Sequence, residues 1–260
     1  MKTTLLTPSP TDTVYTRLRE WYRQIPGRLV LQAERSQLDA LLPSLAGNRI
    51  VQIGCTGESA LLTCSQVPHR IVLDAGVNAP DVGPDLYARA DALPFDTESV
   101  DVLVLPHTLE FECDPHGVLR EVNRVLAPEG HLVIIGFNPW GLWGLWRMFR
   151  KRRGEPPWCG CFLGLSRLYD WLSLLDLRVV HTRYFFFRPP LQREALMRTL
   201  AFLEVPGGRW WLPISGLYLV VAQKRVLAMT PIRLRWPEVY PLVPNLCWVE
   251  PAASEVKHGQ

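Results

Sequence analysis

Short, nearly unbroken runs of Val, Ile and Leu recur through the first half of the chain. They lie within residues 50–53, 70–74, 100–105 and 130–135. Such runs are typical of strands that are buried on both faces, as in parallel sheets. Helical stretches such as 115–126 lie between the runs. The alternation of strand and helix predicts an α/β fold with a doubly wound sheet.

Both ends of the chain depart from this alternation. Residues 1–48 have helical spacing at 14–24 and 29–42, on either side of a Pro26–Gly27 break, which predicts an N-terminal helical cover. Later in the chain we predict helices at 166–175 and 192–203 and strands at 177–187 and 214–223. Because an insertion joins these two late strands, they favour an antiparallel edge hairpin.

The predicted organisation has three parts. The main domain covers residues 49–223, with a core at 49–138, a Trp- and Arg-rich insertion at 139–165 and edge strands at 177–223. The helical cover at 1–48 precedes this domain, and a Pro-rich arm at 224–260 follows it.

Composition narrows the functional classes. Hydrophobic residues make up 48% of the 260 residues and charged residues 20%, which excludes a disordered chain, and a net charge of +3 does not demand a nucleic-acid partner. We find no secretory signal and no apolar run of the ~20 residues that a membrane span needs. The six Cys are interpreted as reduced thiols, so we expect a cytoplasmic protein. Cys159 and Cys161 have no further ligands at metal-site spacing, and we predict no metal.

Candidate binding residues follow the predicted strands. A Gly54-Cys55-Thr56-Gly57 turn ends the first strand, and glycine at this place lets a ligand approach the backbone closely. Asp74 ends the second strand, where an acid accepts ribose hydroxyls. Asp91 follows a short apolar run and is a candidate acceptor for an adenine amino group. Each feature alone is weak, but their order and spacing are specific.

In this order the features resemble the class I S-adenosylmethionine-dependent methyltransferases with a type 11 methyltransferase domain. The strings that carry the resemblance are 50–57, Asp74, 91–95, 99–104 and 120–132. The last is the most specific, because it ends in a Pro-x-Gly turn that feeds the next strand. The resemblance covers roughly a third of the chain, and segments near Pro26 and Pro189 are similar to a small bacterial subfamily.

The resemblance implies a seven-stranded, Rossmann-like sheet that is mostly parallel with an antiparallel edge strand. It also implies S-adenosylmethionine as cofactor, with the methionine part along the glycine turn, the ribose on Asp74 and the adenine beside Asp91. The residues at the end of the fourth strand would face the reactive methyl. The implied cofactor-binding residues are Gln52, Gly54, Cys55, Gly57, Asp74, Ala75, Asp91, Ala92, Leu93, Leu105 and Pro106.

The glycine turn also separates this cofactor from others. A dinucleotide needs a middle glycine and a helix N-terminus for its pyrophosphate, whereas this turn lacks that glycine and places Glu58 where phosphate would lie. The family usually has an acid at Gln52 and glycines at Thr56 and Glu58. These departures motivate an alternative, a non-catalytic cofactor-binding or scaffold protein with the same fold.

The sequence says less about the catalytic residues and the methyl acceptor than about the cofactor. Methyl transfer from a sulfonium needs alignment and a dry site more than a dedicated base. His107 is the candidate base, although a His that packs the following helix is an equally good interpretation. Glu110, one turn later, is a candidate for orienting His107 or meeting substrate.

The segment 138–153, after the fifth strand, carries three Trp and, at 147–153, five cations. It is interpreted as a substrate lid with Trp140 and Trp143 as contacts, as an RNA surface or as a membrane face. The alternative is a helix that packs its Trp on the core and leaves its Arg in water. We predict transfer to an unidentified acceptor, with a small molecule favoured over RNA.

Overall fold

The computed structural model describes residues 10–54, 59–74, 84–150, 154–191, 197, 199–200 and 215–225. By its internal contacts the chain divides into two units, Met1–Val226 and Leu227–Gln260. The second unit lies outside the described residues, and so do the predicted Pro-rich arm, apart from its first two residues, and most of the predicted helix at 192–203.

The described residues form one seven-stranded sheet. Its strands are β1 Arg49–Ile53, β2 His69–Asp74, β3 Leu86–Tyr87, β4 Val100–Pro106, β5 Leu126–Phe137, β6 Leu177–Phe185 and β7 Leu217–Lys224. They lie in the order β3-β2-β1-β4-β5-β7-β6, with β1 to β5 parallel to one another and β7 antiparallel to β5 and to β6. The predicted mostly parallel sheet is confirmed, and its antiparallel strand is β7, one position in from the edge strand β6.

Helices cover both faces of the sheet. In chain order they are α1 Pro10–Tyr22, α2 Gly27–Leu41, α3 Thr108–Phe111, α4 Pro115–Val125, α5 Leu142–Arg150 and α6 Leu165–Leu174. One apolar core packs α1, α2 and α5 on the first face, and a second packs α4 and α6 on the other. The apolar runs of β1 and β4 are buried for this reason.

The helices begin and end where the local sequence directs them. α4 starts at Pro115 because Asp114 caps it, with the Asp114 carboxylate accepting a hydrogen bond from the Gly117 backbone N–H at 2.9 Å. Its buried residues Val118, Leu119, Val122 and Val125 form one stripe. The predicted N-terminal helices at 14–24 and 29–42 are observed as α1 and α2, each beginning a few residues earlier.

Among the described residues no helix has the length and apolar character needed to cross a membrane.

Candidate cofactor site

The ends of β1 and β2 meet at the carboxyl edge of the sheet. Ile53 pairs with Leu73 across the two strands, and the Gly54 backbone N–H donates to the Leu73 carbonyl at 2.8 Å. Gly54 has a φ of +97°, a conformation that side chains other than glycine rarely adopt. A Cβ at Gly54 would lie 3.0 Å from the Thr108 hydroxyl oxygen. The first glycine of the predicted turn is therefore required by the backbone, and it lies beside the strand that ends in Asp74.

Gln52 is fully buried just below this turn. Its Nε2 donates to the Gly54 carbonyl at 2.9 Å, which fixes the direction of the side-chain amide. Its Oε1 is buried and accepts no hydrogen bond from any residue that the structure describes. A buried oxygen without a donor costs about 1–3 kcal/mol, so this site favours a ligand that brings an N–H group.

Asp74 is fully buried and forms an ion pair with the Arg19 guanidinium of α1. Its carbonyl also accepts from the Ala88 backbone N–H at 3.0 Å, which anchors the chain after β3. The carboxylate predicted to hold a ribose is thus covered by a side chain from the N-terminal helix. Sequence reasoning missed Arg19, because a single Arg in an amphipathic helix carries no signal of its partner.

Asp91 lies in the turn that follows β3 and is held by a neighbour. Arg89 donates from Nε to Oδ1 of Asp91 at 2.8 Å and from Nη2 to Oδ2 at 2.6 Å. These hydrogen bonds lower the pKa of Asp91, which is therefore ionised at neutral pH. The Ala92 N–H donates to the Arg89 carbonyl at 3.2 Å, and the Leu93 N–H to Glu121 Oε1 at 2.9 Å. The backbone N–H groups of Ala92 and Leu93 are thus used inside the fold, whereas the Asp91 side chain is 33% exposed.

One face of helix α1 lies over the carboxyl edge of the sheet. Tyr15 and Arg19 are four residues apart and so project from the same side of the helix. The Tyr15 hydroxyl donates to Glu112 Oε1 at 2.9 Å, while Arg19 contacts Asp74. Burial raises the pKa of Glu112. The charge of Asp91 also raises this pKa, whereas the charge of Arg89 lowers it. The predicted helical cover therefore connects the end of β2 with the segment that follows α3.

His107, at the end of β4, is the centre of a buried charged cluster. Its Nδ1 lies 2.7 Å from Glu110 Oε2 and its Nε2 lies 2.9 Å from Glu34 Oε1. All three side chains are almost completely buried. Glu110 Oε1 accepts from the Phe137 backbone N–H at 2.5 Å, and Glu34 Oε1 accepts from the Tyr22 hydroxyl at 3.4 Å. We call Glu34, His107 and Glu110 the Glu–His–Glu cluster.

The electrostatics of the cluster keep His107 protonated. Burial alone would lower the pKa of His107, but the carboxylates of Glu34 and Glu110 outweigh it and raise that pKa to about 10. Burial raises the pKa of Glu110, although His107 and the Phe137 N–H act in the opposite direction. At neutral pH His107 is an imidazolium with both nitrogens engaged, so it has no site for a substrate proton.

This finding corrects two sequence predictions. His107 is placed as a structural cation and not as a general base, because both of its nitrogens are occupied by carboxylates. Glu110 hydrogen-bonds His107, and because Glu110 is buried with each of its oxygens already in a hydrogen bond, it is placed in the cluster and not against a substrate. Glu34 was missed, although Val30, Glu34 and Leu38 form the buried stripe of α2. A charged residue in the middle of an apolar stripe was the available signal.

The two Trp predicted to contact substrate have opposite environments. Trp143 is fully buried, and its indole N–H donates to the Arg188 carbonyl at 2.8 Å. Its ring stacks with Phe137 and Trp158, at 5.4 and 5.6 Å between centroids. Trp143 is therefore a core residue, which corrects the prediction of a substrate contact. Trp140 is 83% exposed.

The remaining predicted residues divide into two groups. Leu105 and Pro106 are buried at the end of β4, where the Thr108 hydroxyl donates to the Ile53 carbonyl at 2.6 Å and joins β4 to β1. Three predicted residues lie outside the described part of the chain, namely Cys55, Gly57 and Ala75.

Comparison with known proteins identifies the family of this chain. The model of a methyltransferase domain family matches residues 53–134. The uncharacterized protein YafS of Escherichia coli strain K12 is 33% identical over 206 residues, which covers 78% of this chain and 80% of that protein. The chain belongs to the class I methyltransferase family.

Solved methyltransferases have the same fold. A SAM-dependent methyltransferase from Thermotoga maritima superimposes with a TM-score of 0.58 at 16% identity, covering 82% of this chain and 98% of that one. One from Archaeoglobus fulgidus gives 0.56 at 16% identity, covering 81% and 99%.

Proposed function

We propose that this methyltransferase binds S-adenosylmethionine across the carboxyl ends of β1 and β2 and transfers its methyl group to a small-molecule acceptor. The observation that carries the proposal is the juxtaposition at one sheet edge of the unsatisfied Gln52 oxygen, the left-handed Gly54 and the buried carboxylate of Asp74. These groups fit an ammonium, a close backbone approach and a ribose diol.

The residues of the chain bind and orient, and the group they hold supplies the chemistry. When bound, S-adenosylmethionine provides an activated methyl on a positively charged sulfur. Gln52 Oε1 would accept a hydrogen bond from its amino group, Asp74 would accept from the ribose hydroxyls, and Asp91 would accept from the adenine amino group. No protein base is required for an acceptor that is already nucleophilic, which agrees with the commitment of His107 to the Glu–His–Glu cluster.

Calorimetry with S-adenosylmethionine and with S-adenosylhomocysteine tests the proposal. We expect both to bind, and we expect a pool of small-molecule nucleophiles to yield methylated product. Failure to bind either compound would overturn the proposed function. Binding without turnover over broad acceptor pools would favour the non-catalytic alternative, and methylation of RNA alone would replace the small-molecule acceptor.

Asp91→Ala is expected to weaken S-adenosylhomocysteine binding about ten- to hundredfold, because one charge-assisted hydrogen bond of about 1–3 kcal/mol is lost. Calorimetry on the purified variant measures the change. Arg89→Ala is the matched control, since it removes the same salt bridge but leaves the Asp91 carboxylate in place. Equal losses in both variants would show that only the ion pair matters and that Asp91 does not contact the adenine.

Arg19→Gln is expected to strengthen S-adenosylhomocysteine binding about tenfold. In the described structure Asp74 is buried beneath Arg19, so a ribose reaches the carboxylate only when the guanidinium withdraws. Removing the competing ion pair removes a cost of about 1–2 kcal/mol from binding. Arg23→Gln, in the turn that directly follows α1 and exposed, serves as the comparison. Weaker binding by the Arg19 variant would mean that Arg19 supports the bound cofactor.

A further inference from the structure

Helix α5 presents an apolar face to solvent. Its exposed large side chains are Leu142, Leu145, Trp146, Met148 and Phe149, and the residue Trp140 just before the helix is also exposed. Met148 and Phe149 are 75% and 78% exposed. Positions 142, 145, 146 and 149 recur at helical spacing and so form one continuous stripe. We call these six side chains the α5 outer face.

Packing of the opposite side of α5 makes this exposure unavoidable. Trp143 is locked in the core by its stack on Phe137 and by the hydrogen bond to the Arg188 carbonyl. Gly144 has no room for even a Cβ, because the Pro139 backbone lies directly against it. The helix cannot rotate to bury its outer face without removing Trp143 from the core. An exposed apolar patch of this kind marks an interaction site, so we expect a partner to cover the α5 outer face.

The segment that carries the α5 outer face is rich in positive charge. Residues 138–153 contain five cations and no acid. The Arg147 guanidinium donates to the Trp158 carbonyl at 3.2 Å and lies 5.1 Å from the Phe162 ring centre. The Arg150 guanidinium lies 6.0 Å from the Trp146 ring centre, and Lys151, Arg152 and Arg153 follow directly in the sequence.

We infer that α5 docks the protein on an anionic lipid surface. An apolar helix face with Trp and Phe, with Arg150 beside Trp146 and further Lys and Arg next in the sequence, matches the interfacial helices that lie in the headgroup region of a bilayer. The basic residues complement anionic headgroups, and Trp favours this depth. A second copy of the chain fits less well, since pairing this face with itself would bring two sets of five cations together. RNA fits less well because Leu145 and Met148 offer no ring for stacking on bases.

The docking face lies on the functional side of the molecule. α5 follows the carboxyl end of β5, and β5 is parallel to β4 and β1. α5 therefore follows the same edge of the sheet that carries Gly54 and Asp74. This inference concerns attachment and stands independently of the cofactor that the strand ends bind.

Flotation of the full chain with lipid vesicles tests the inference. We expect the protein to float with vesicles of phosphatidylcholine and phosphatidylglycerol, and to bind at least about tenfold more weakly to phosphatidylcholine alone, because each nearby Lys or Arg adds about 1 kcal/mol on an anionic surface. Added salt is expected to weaken the binding. No flotation with anionic vesicles would overturn the inference.

The double variant Met148→Ser/Phe149→Ser isolates the apolar contribution. Both side chains are exposed, so the substitutions leave the core intact, and we expect binding to anionic vesicles to fall by more than about tenfold. Leu174→Ser/Val180→Ser is the matched control, because these residues are 80% and 56% exposed on other elements. Equal losses in the two variants would overturn the inference. So would vesicle-independent dimerisation, or binding to single-stranded RNA alone, that depends on Met148 and Phe149.

Discussion

Asp74→Asn is expected to weaken S-adenosylhomocysteine binding by about 100-fold or more. A carboxylate accepts hydrogen bonds from both ribose hydroxyls, and such charge-assisted bonds are worth about 1.5–3 kcal/mol each, whereas the amide brings no charge and a donor that the hydroxyls do not need. Asp74 is fully buried, so little water competes for the carboxylate. Calorimetry on the purified variant measures the loss.

The ion pair of Asp74 with Arg19 requires a second variant. Asp74→Asn alone leaves a buried guanidinium beside a neutral amide, and the variant is expected to lose stability for that reason. The double variant Arg19→Gln/Asp74→Asn removes both charges and should regain much of that stability while still binding at least about 100-fold more weakly than Arg19→Gln. Unchanged affinity in both comparisons would show that the ribose does not lie on Asp74.

Glu34→Ala is expected to lower the free energy of unfolding by about 3–5 kcal/mol, because removing one partner leaves a buried charge uncompensated. For a chain of this size the melting temperature should fall by roughly 10 °C. Glu34→Gln keeps an oxygen that accepts from His107 Nε2 and should cost less. Gln32→Ala, on the exposed side of α2, is the control and should change stability little. Equal effects of the Glu34 and Gln32 substitutions would contradict the role of the cluster.

The same cluster predicts how stability depends on pH. The pKa of His107 is raised from 6.5 to about 10 in the folded state, so its stabilising contribution is fully present below pH 6.5 and is lost as pH rises towards 10. Urea unfolding across this range should show falling stability in the unmodified protein. Glu34→Gln lowers the pKa of His107 and should flatten the decline. Parallel pH profiles for the two proteins would mean that His107 is not the titrating group.

The strand pattern was accessible from sequence because burial on both faces leaves a direct composition signal. The runs at 50–53, 70–74 and 100–105 became β1, β2 and β4, and Gly54 and Asp74 lie at the neighbouring ends of β1 and β2. The ends of the two late strands were predicted less precisely, to within three residues, because the turns beside them are less specific in sequence. The two late strands form the expected antiparallel pair at the edge of the sheet, with β7 between β5 and β6.

Trp140 and Trp143 show that the sequence pattern does not predict the burial of every side chain. They are three residues apart in the same aromatic segment, yet one is almost fully exposed and the other is in the core. Their difference arises from the position of α5 against Phe137 and the Pro139 backbone, which composition does not encode. Periodicity identifies the side of a helix that faces inward only once the start of the helix is known.

The sequence by itself determined the sheet, the covering helices and the line of strand ends, because apolar periodicity and strand-ending Gly and Asp are local properties. Only the tertiary structure decided which buried charges meet. Arg19 is 55 positions from Asp74, and Glu34 is 73 positions from His107. Such pairs form only when α1 and α2 pack on the sheet. A buried charge is stabilised by an opposite charge that this packing brings close to it.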